Sequence, residues 1–261
     1  MKGMYHAQIL ENRAIALEIF DMRLSCPDAA KHARAGQFAA VYTENPATLL
    51  PRPLSICEID RAEDGLRIIY RVEGQGTQDL AKMATGYLRI LAPLGNGFDI
   101  SDNHKNFAIV GGGIGTPPLL ELVKEIREKH GDAKITVFLG FRNDASVILE
   151  QDFATFADEV HVSTDDGSYG IQGNAVGLLD APASGKFDVL YGCGPKVMLK
   201  HLARWAAGCN TPCFVSLEER MACSIGACLA CVVKIRDKGA VVYDKVCSSG
   251  PVFDAKELFW I

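Results

Sequence analysis

Four cysteines carry the most specific chemistry in the sequence. Cys223, Cys228 and Cys231 stand in Cys-Ser-Ile-Gly-Ala-Cys-Leu-Ala-Cys, and Cys247 follows in Lys-Val-Cys-Ser-Ser-Gly-Pro. A C-x4-C-x2-C run with a distant fourth cysteine is the plant-type spacing for a [2Fe–2S] cluster. Ser224, Gly226 and Ala227 are small, so the backbone can curl close and aim N–H groups at the cluster sulfurs, which tunes the potential. Two other readings compete. A four-cysteine zinc site usually pairs two short C-x2–4-C knuckles, whereas here one C-x2-C is flanked by single cysteines. A disulfide framework suits a small secreted domain, which a chain of 261 residues is not. The iron–sulfur reading stands first, zinc second and disulfides last.

Two further stretches could grip phosphate. Arg52-Pro53-Leu54-Ser55 enters a strand, Ser55 to Ile59. Gly74-Gln75-Gly76-Thr77 precedes a short helical stretch, Gln78 to Met83. A Gly-x-Gly-Thr turn opening a helix offers N–H groups and a positive dipole end to an anion. The bidentate fork of Arg52 can hold a pyrophosphate. Taken singly, Arg52 is a surface arginine and the glycines a plain turn; their order and separation make the pair more specific.

Gly111-Gly112-Gly113-Ile114-Gly115-Thr116-Pro117-Pro118 follows a short apolar strand, Asn106 to Val110. It opens a helix carrying Leu119, Leu122, Val123 and Ile126 at helical spacing, and the prolines suit a first turn. Strand, glycine loop and helix are the context a nucleotide-binding loop requires. The strict G-x-G-x-x-G fails, because its third glycine would fall on Thr116. Cys193-Gly194-Pro195 ends another strand and opens a helix through Met198, Leu199 and Leu202. By its type alone Cys193 is a buried cysteine in a strand–helix turn. No His–Cys pair marks a nucleophile, the six histidines show no metal spacing, and no catalytic acid or base is assigned. Arg142, at a strand end, either favours a 2′-phosphate or is a solvated turn residue.

The elements that must position these residues fall into a recognisable order. Composition is globular, with 48% hydrophobic and 23% charged residues. A net charge of −5 without a basic block argues against nucleic acid. No stretch approaches the ~18 apolar residues of a membrane span. The first residues lack the apolar run of a signal peptide, and with nine cysteines the expected compartment is the cytoplasm. Cys26, Cys57, Cys209 and Cys213 read as small buried residues. Strands are expected around Ile15–Ile19, Gly36–Tyr42, Leu66–Val72 and Tyr87–Leu91, which suggests a small antiparallel barrel. Pro93 to Phe98 is a turn-rich exit, and Ser101 to Asn106 a polar linker. Strands at Lys134–Gly140, Glu159–Ser163 and Asp188–Tyr191 alternate with helical stretches at Ile148–Ala157 and Asn174–Leu179, which implies a parallel sheet. The expected architecture is multi-domain β + α/β: an antiparallel barrel at 1–101, a parallel-sheet α/β domain at 102–217 and a small cluster domain at 218–261.

The paired phosphate motifs resemble the flavin-binding barrel of the ferredoxin–NADP reductase superfamily. That resemblance implies FAD, with the Arg52-Pro53-Leu54-Ser55 segment holding its pyrophosphate through Arg52 and bringing Ser55 near the isoalloxazine. Ile69, Tyr70 and Arg71 would line the cofactor, and Gly76 and Thr77 would make a second phosphate contact. Gly111, Gly113 and Gly115 would border the nicotinamide nucleotide, and Cys193-Gly194-Pro195 would face the nicotinamide. Over its whole length the chain resembles the electron-transfer subunits of NAD-dependent type B dihydroorotate dehydrogenases. The Thr164-Asp-Asp-Gly-Ser168, Ser216-Leu-Glu-Glu-Arg-Met-Ala-Cys223 and Val246–Phe253 stretches also carry the likeness. One departure is Ser224, where the family leads one to expect glycine after the first cluster cysteine.

The resemblance implies a function. A catalytic partner oxidises dihydroorotate on its own FMN. Electrons pass singly through Cys223, Cys228, Cys231 and Cys247's cluster to FAD, and leave as hydride to NAD+, in pyrimidine (UMP) biosynthesis. It also implies a heterotetramer of two such chains and two catalytic chains. The runner-up is the small flavin/iron–sulfur subunit of another NAD(P)H-linked oxidoreductase, of the ferredoxin:NADP+ oxidoreductase or sulfide dehydrogenase type. Some of those relatives carry aspartate at the first cluster position, and Cys223 speaks against them. A free-standing electron carrier needs neither the flavin nor the nicotinamide motifs. Replacing Cys228 with serine is expected to remove the cluster's visible absorbance and leave the flavin spectrum in place; an unchanged spectrum would contradict the ligand assignment.

Overall fold

The computed structural model describes residues 2–100, 104–180 and 186–260. The expected linker therefore lies partly outside the described residues, at 101–103.

The first half is a seven-stranded antiparallel sheet. Its strands are β1 (Gly3–Ala16), β2 (Ile19–Ser25), β3 (Phe38–Tyr42), β4 (Arg52–Ser55), β5 (Glu58–Asp60), β6 (Gly65–Arg71) and β7 (Gly86–Leu94), in the order β4-β3-β7-β1-β2-β6-β5. The sheet curls until β4 lies against β6. Helices α1 (Pro27–Ala30) and α2 (Gln75–Ala81) fill its connections. The alternation seen at Ile15, Leu17 and Ile19 is not one strand. It is the turn of the β1–β2 hairpin, with Glu18 at φ 58° and Leu17 86% exposed. Three alternating residues cannot by themselves tell a strand from the ends of two. Arg52–Ser55 is itself strand β4, and Ile56-Cys57 separates it from β5.

The second half is a largely parallel sheet. It holds β8 (Asn106–Gly112), β9 (Lys134–Phe141), β10 (Glu159–Thr164), β11 (Ile171–Gln172), β12 (Val189–Cys193), β13 (Cys213–Ser216) and β16 (Val252–Asp254), in the order β11-β10-β9-β8-β12-β13-β16. Its helices are α3 (Pro118–Lys129), α4 (Glu150–Ala154) and α5 (Lys196–Cys209). Two expected helices shrink. Ile148–Ala157 reduces to α4, because Leu149 enters the left-handed region at φ 65°. Asn174–Leu179 becomes a single 3-10 turn, Gly177–Asp180. The chain then forms the hairpin of β14 (Val232–Asp237) and β15 (Ala240–Lys245) before β16 returns antiparallel to β13. The C-terminal segment thus contributes a strand to the parallel sheet.

Strand β6 shows how the halves are joined. Its side chains alternate between two faces. Leu66, Ile68 and Tyr70 enter the core of the antiparallel sheet, while Ile69 joins the core that contains Ile109, Leu119 and Val123 of the other half. Arg67 shares the Ile69 face and is almost fully buried. It donates to Asp21 at 3.0 and 2.9 Å and to Asp152 of α4 at 2.5 Å, and it lies 3.3 Å from Glu58. Asp21 is itself buried, so removing one partner of such a pair typically costs about 3–5 kcal/mol.

Glu121 of α3 forms the second joint and is fully buried. Its carboxylate accepts the Ile59 amide at 2.8 Å and Arg61 at 3.1 Å, and its own amide donates to the Cys57 carbonyl at 3.1 Å. Beside it, Lys124 reaches Glu58 at 3.5 Å and Glu125 reaches Arg61 at 3.2 Å. Burial pushes the Glu121 carboxyl up to about 7, against the pull of the Ile59 amide, Lys124 and Arg61. The folded chain therefore holds this proton more tightly than the unfolded chain, whose carboxyl titrates near 4.5. The stabilisation is complete below 4.5 and is lost as pH rises through about 7. In urea titrations across that window, Glu121→Gln is expected to remove a fall of up to about 1.4 kcal/mol per pH unit. Parallel pH profiles for the two proteins would refute this.

Candidate functional site

The parallel sheet places two loops side by side. β8 lies between β9 and β12 in the sheet. The chain leaves β8 towards β9 on one side and returns through β12 on the other. Ligands of open parallel sheets bind outside the strand ends at such a reversal of order. Gly113–Gly115 forms a 3-10 turn after β8, and Cys193-Gly194-Pro195 follows the end of β12. The two loops touch backbone to backbone. A Cβ on Gly115 would stand 2.5 Å from Gly194 Cα, and one on Gly194 would stand 3.1 Å from Gly112 Cα. Glycine is required here for close approach. Gly111 is packed against Thr116 and Leu139, whereas the Cβ position of Gly113 opens towards Arg71, 3.9 Å away.

A cavity of about 910 Å³ lies where this loop pair meets the antiparallel sheet. Arg52, Pro53, Leu54, Ser55, Ile69, Tyr70, Arg71, Gly76 and Thr77 line it, together with Gly115 and Cys193. Its far wall is Ser216–Ala222, with Ala230 and Pro251. Gly111, Gly113, Gly194 and Pro195 are not among the residues that line it. The volume suits a large cofactor, within the ~300–1,000 Å³ range of ligand sites.

At one end of the cavity Arg52 lies across Gly76. A Cβ on Gly76 would overlap the guanidinium and come within 2.7 Å of Arg52 Cζ. The expectation that Gly76 and Thr77 precede a helix needs correction: α2 begins at Gln75, so both sit in its first turn. Thr77 is a capping residue. Its hydroxyl accepts from the Glu73 and Gly74 amides at 2.9 and 3.2 Å and donates to the Gly74 carbonyl at 3.0 Å. The hydroxyl orders the turn, and the first-turn amides remain directed at an incoming anion.

At the other end Cys193 meets Ser216. Burial pushes the Cys193 thiol up to about 12, even though a hydrogen bond with Ser216 pulls it down. It stays protonated, as a wall residue rather than a nucleophile. Ser216, Glu218 and Met221 line the cavity as well. They escaped residue-level assignment, although Ser216 ends a strand that follows a helix, a position where α/β sites gather side chains. Arg142 is exposed just beyond β9, and its carbonyl accepts from the Asp166 amide at 3.4 Å.

The four thiols are assembled by local geometry. In the β14–β15 hairpin Val232 pairs with Lys245. That register sets Cys231, just before β14, beside Cys247, just after β15. The Val246 amide donates to the Cys231 carbonyl at 3.0 Å and the Cys247 amide to Cys231 Sγ at 3.4 Å. The Cys223–Cys231 loop then curls over them. Ile225, Ala227 and Cys228 direct their amides at Cys223 Sγ, at 3.5, 3.3 and 3.4 Å, and Gly226 directs its amide at Cys247 Sγ at 3.1 Å. Burial alone would raise the Cys223 thiol, but these amides and the Cys228 thiol bring it down to about 6. Cys247 is raised to about 11 by burial and by the adjacent Cys231.

Cys223 contacts Cys228 and Cys231 contacts Cys247, with Cys223 also near enough to Cys247 to raise its thiol. Among the described residues no three His, Cys, Asp or Glu side chains converge on a single ion. Two thiolates to each of two irons, with amide donors on the sulfurs, suit a [2Fe–2S] cluster better than one tetrahedral zinc.

Comparison with known proteins agrees with this geometry. Residues 218–259 match the family model described as the iron–sulfur cluster binding domain of dihydroorotate dehydrogenase B. The chain is 43% identical over 262 residues to the dihydroorotate dehydrogenase B (NAD(+)) electron transfer subunit of Geobacillus kaustophilus, covering 99% of each chain. It is 41% identical over 249 residues to the subunit of the same name from Streptococcus pneumoniae, covering 94% of each. Among solved structures, an NADH-dependent reduced ferredoxin–NADP oxidoreductase superposes with a TM-score of 0.86 at 30% identity, covering 100% of this chain and 92% of that one. A ferredoxin NADP+ reductase from Neisseria gonorrhoeae with bound FAD and NADP shares the fold, with a TM-score of 0.67 at 17% identity over 78% of this chain and 91% of that one. By full-length identity and by its cysteine-bearing segment, the chain belongs to the family of dihydroorotate dehydrogenase B (NAD+) electron transfer subunits.

Proposed function

We propose that this chain carries electrons from the FMN of a catalytic dihydroorotate dehydrogenase subunit, through a [2Fe–2S] cluster and FAD, to NAD+. One observation carries the reading. Ala222 and Ala230, which neighbour Cys223 and Cys231, line the same cavity as Arg52–Ser55 and Cys193. A single chamber reaches the residues beside two of the thiols, the flavin strand and the nicotinamide end of the parallel sheet. FAD in that chamber supplies the conversion between single electrons and hydride, and the protein supplies position and potential.

The roles divide by place. Cys223, Cys228, Cys231 and Cys247 hold the cluster. Arg52 and the first turn of α2 at Gly76 hold the pyrophosphate. Pro53, Leu54 and Ser55, with Ile69, Tyr70 and Arg71 on the neighbouring wall, enclose the flavin. Thr77 serves by capping the turn. Gly111, Gly113 and Gly115 shape the nicotinamide floor with Cys193, Gly194 and Pro195. On this reading residues 1–101, 102–217 and 218–261 are the FAD, NAD and cluster units.

The partner surface is proposed around Cys228, which is exposed. Ile225, Leu229, Val241 and Tyr243 are all exposed apolar residues of the same segment, a composition that favours a protein neighbour. A two-plus-two heterotetramer in the cytoplasm accords with this surface. Among the described residues no helix is long and apolar enough to cross a membrane. The likeness to the ferredoxin–NADP oxidoreductase supports a second reading, a small subunit of that kind of complex.

Purification of the chain with its native partner tests the two. The co-purified complex is expected to reduce NAD+ with dihydroorotate, while the isolated chain only passes electrons from NADH to a dye. A complex inert to dihydroorotate but active with ferredoxin would replace the first reading by the second. Within the chain, Arg52→Ala and Gly76→Ala are each expected to weaken FAD binding roughly 10- to 100-fold, the loss of a charged hydrogen bond. Fluorescence titration of the apoprotein with FAD measures this, and wild-type affinity in both variants would remove Arg52 from the pyrophosphate site.

A further inference from the structure

Ser224 stands directly after Cys223, inside the loop that carries three of the four thiols. It is 1% exposed. Its hydroxyl is buried and has no hydrogen-bond partner among the described residues. Its backbone lies in the left-handed region at φ 59°, where glycine is favoured and a side chain is strained. A buried hydroxyl left unpaired is costly. Two unfavourable features on one small residue, next to a ligand, point to a functional constraint rather than to packing.

The surrounding donors indicate the acceptors this loop serves. The amides of Ile225, Ala227 and Cys228 are directed at Cys223 Sγ, and that of Gly226 at Cys247 Sγ. A serine adds one O–H donor that rotates to suit its acceptor. Glycine at 224 would relieve the backbone and remove the unpaired hydroxyl, but would leave the loop one donor short.

We propose that the Ser224 hydroxyl donates a hydrogen bond to a sulfur of the bound [2Fe–2S] cluster and holds its reduction potential above that of the same loop with glycine. The inference rests on the cluster reading given above. Reduction adds negative charge to the sulfurs, so a donor aimed at them stabilises the reduced state more than the oxidised state. Ser224 would raise the driving force for accepting an electron and lower that for passing it on.

The test uses the full-length chain with flavin and cluster bound. Visible absorbance with iron and sulfide content first shows whether a cluster is held; a colourless, iron-free protein would overturn the cluster reading itself and this inference with it. With the cluster present, redox titration followed by electron paramagnetic resonance compares wild type, Ser224→Gly and Ser224→Ala. Both variants are expected to titrate at lower potential, by up to about tenfold in the one-electron equilibrium, or about 59 mV. The bound flavin's potential is expected to stay put. Ser224→Ala keeps the Cβ and the strained backbone, so agreement between the variants assigns the shift to the hydroxyl. Where the alanine variant fails to load, loss of an exchangeable-deuteron coupling to the reduced cluster in Ser224→Gly supports the hydroxyl, and retention of the coupling overturns it. Equal potentials in all three proteins, an upward shift, or a shift in the glycine variant alone would also overturn the proposal.

Discussion

The buried carboxylate of Glu121 sets the geometry on which the rest of the site depends. β5 begins three residues after Ser55, and α3 begins three residues after Gly115. Glu121 joins them through the Ile59 amide, Arg61 and the Cys57 carbonyl. Strand β4 and the Gly113–Gly115 turn are therefore held at a spacing fixed within a few residues of each. Apolar packing alone would hold the two halves together but leave their angle adjustable. Hydrogen bonds are directional, so a desolvated carboxylate fixes the angle at the cost of a raised pKa. Arg67 does the same at the other end of the joint, tying β2, β5 and α4 to one guanidinium.

The cluster loop solves a different problem. Four thiolates repel one another, and Cys247, already raised by burial, is raised further by the adjacent Cys231. The hairpin register brings these two together against that repulsion, with ladder hydrogen bonds and the buried Val246 and Ile235 side chains holding the strands. Cys223 is stabilised as a thiolate by backbone amides instead. The site is thus preorganised by two independent means, a strand ladder on one side and a curled loop on the other.

Much of this was legible in the sequence, and the limits have physical causes. The cysteine spacing, the glycine loop and the Arg52 segment are short-range patterns, read without knowledge of the fold; Arg52–Ser55, Gly115 and Cys193 line one cavity, and Ala222 and Ala230 bring the neighbours of Cys223 and Cys231 to it. Elements whose form depends on distant packing were harder. β1 runs for fourteen residues, but its alternation is masked in the sequence, since its outer face mixes Met4, His6, Gln8 and Leu10. β16 consists of Val252-Phe-Asp254, three residues that carry no period until β13 offers an edge. Glu121 reads as an ordinary charge on an amphipathic helix; only the approach of β5 buries it. Thr77 reads in the sequence as a phosphate contact ahead of a helix; in the structure its hydroxyl caps α2, which starts three residues earlier than its apolar pattern suggests.

The division of the chain into units needs a physical qualification. One apolar core runs from Ile19, Ala35 and Ile69 of the antiparallel sheet to Phe107, Leu119 and Tyr191 of the parallel one. A second runs from Phe38 and Leu94 through Val110 and Val215 to Cys231, Val246 and Cys247. Boundaries near residues 101 and 217 therefore cut the chain but not the packing. That is what stepwise electron flow between fixed centres requires. Domains joined by small polar contacts move relative to one another by default, and a centre on a moving domain changes its distance to the next. Shared cores remove that freedom. The shared packing ties the cysteine-bearing segment, the Arg52 strand and the Gly115 loop into one body, with Arg52–Ser55, Gly115, Ala222 and Ala230 on the wall of one chamber.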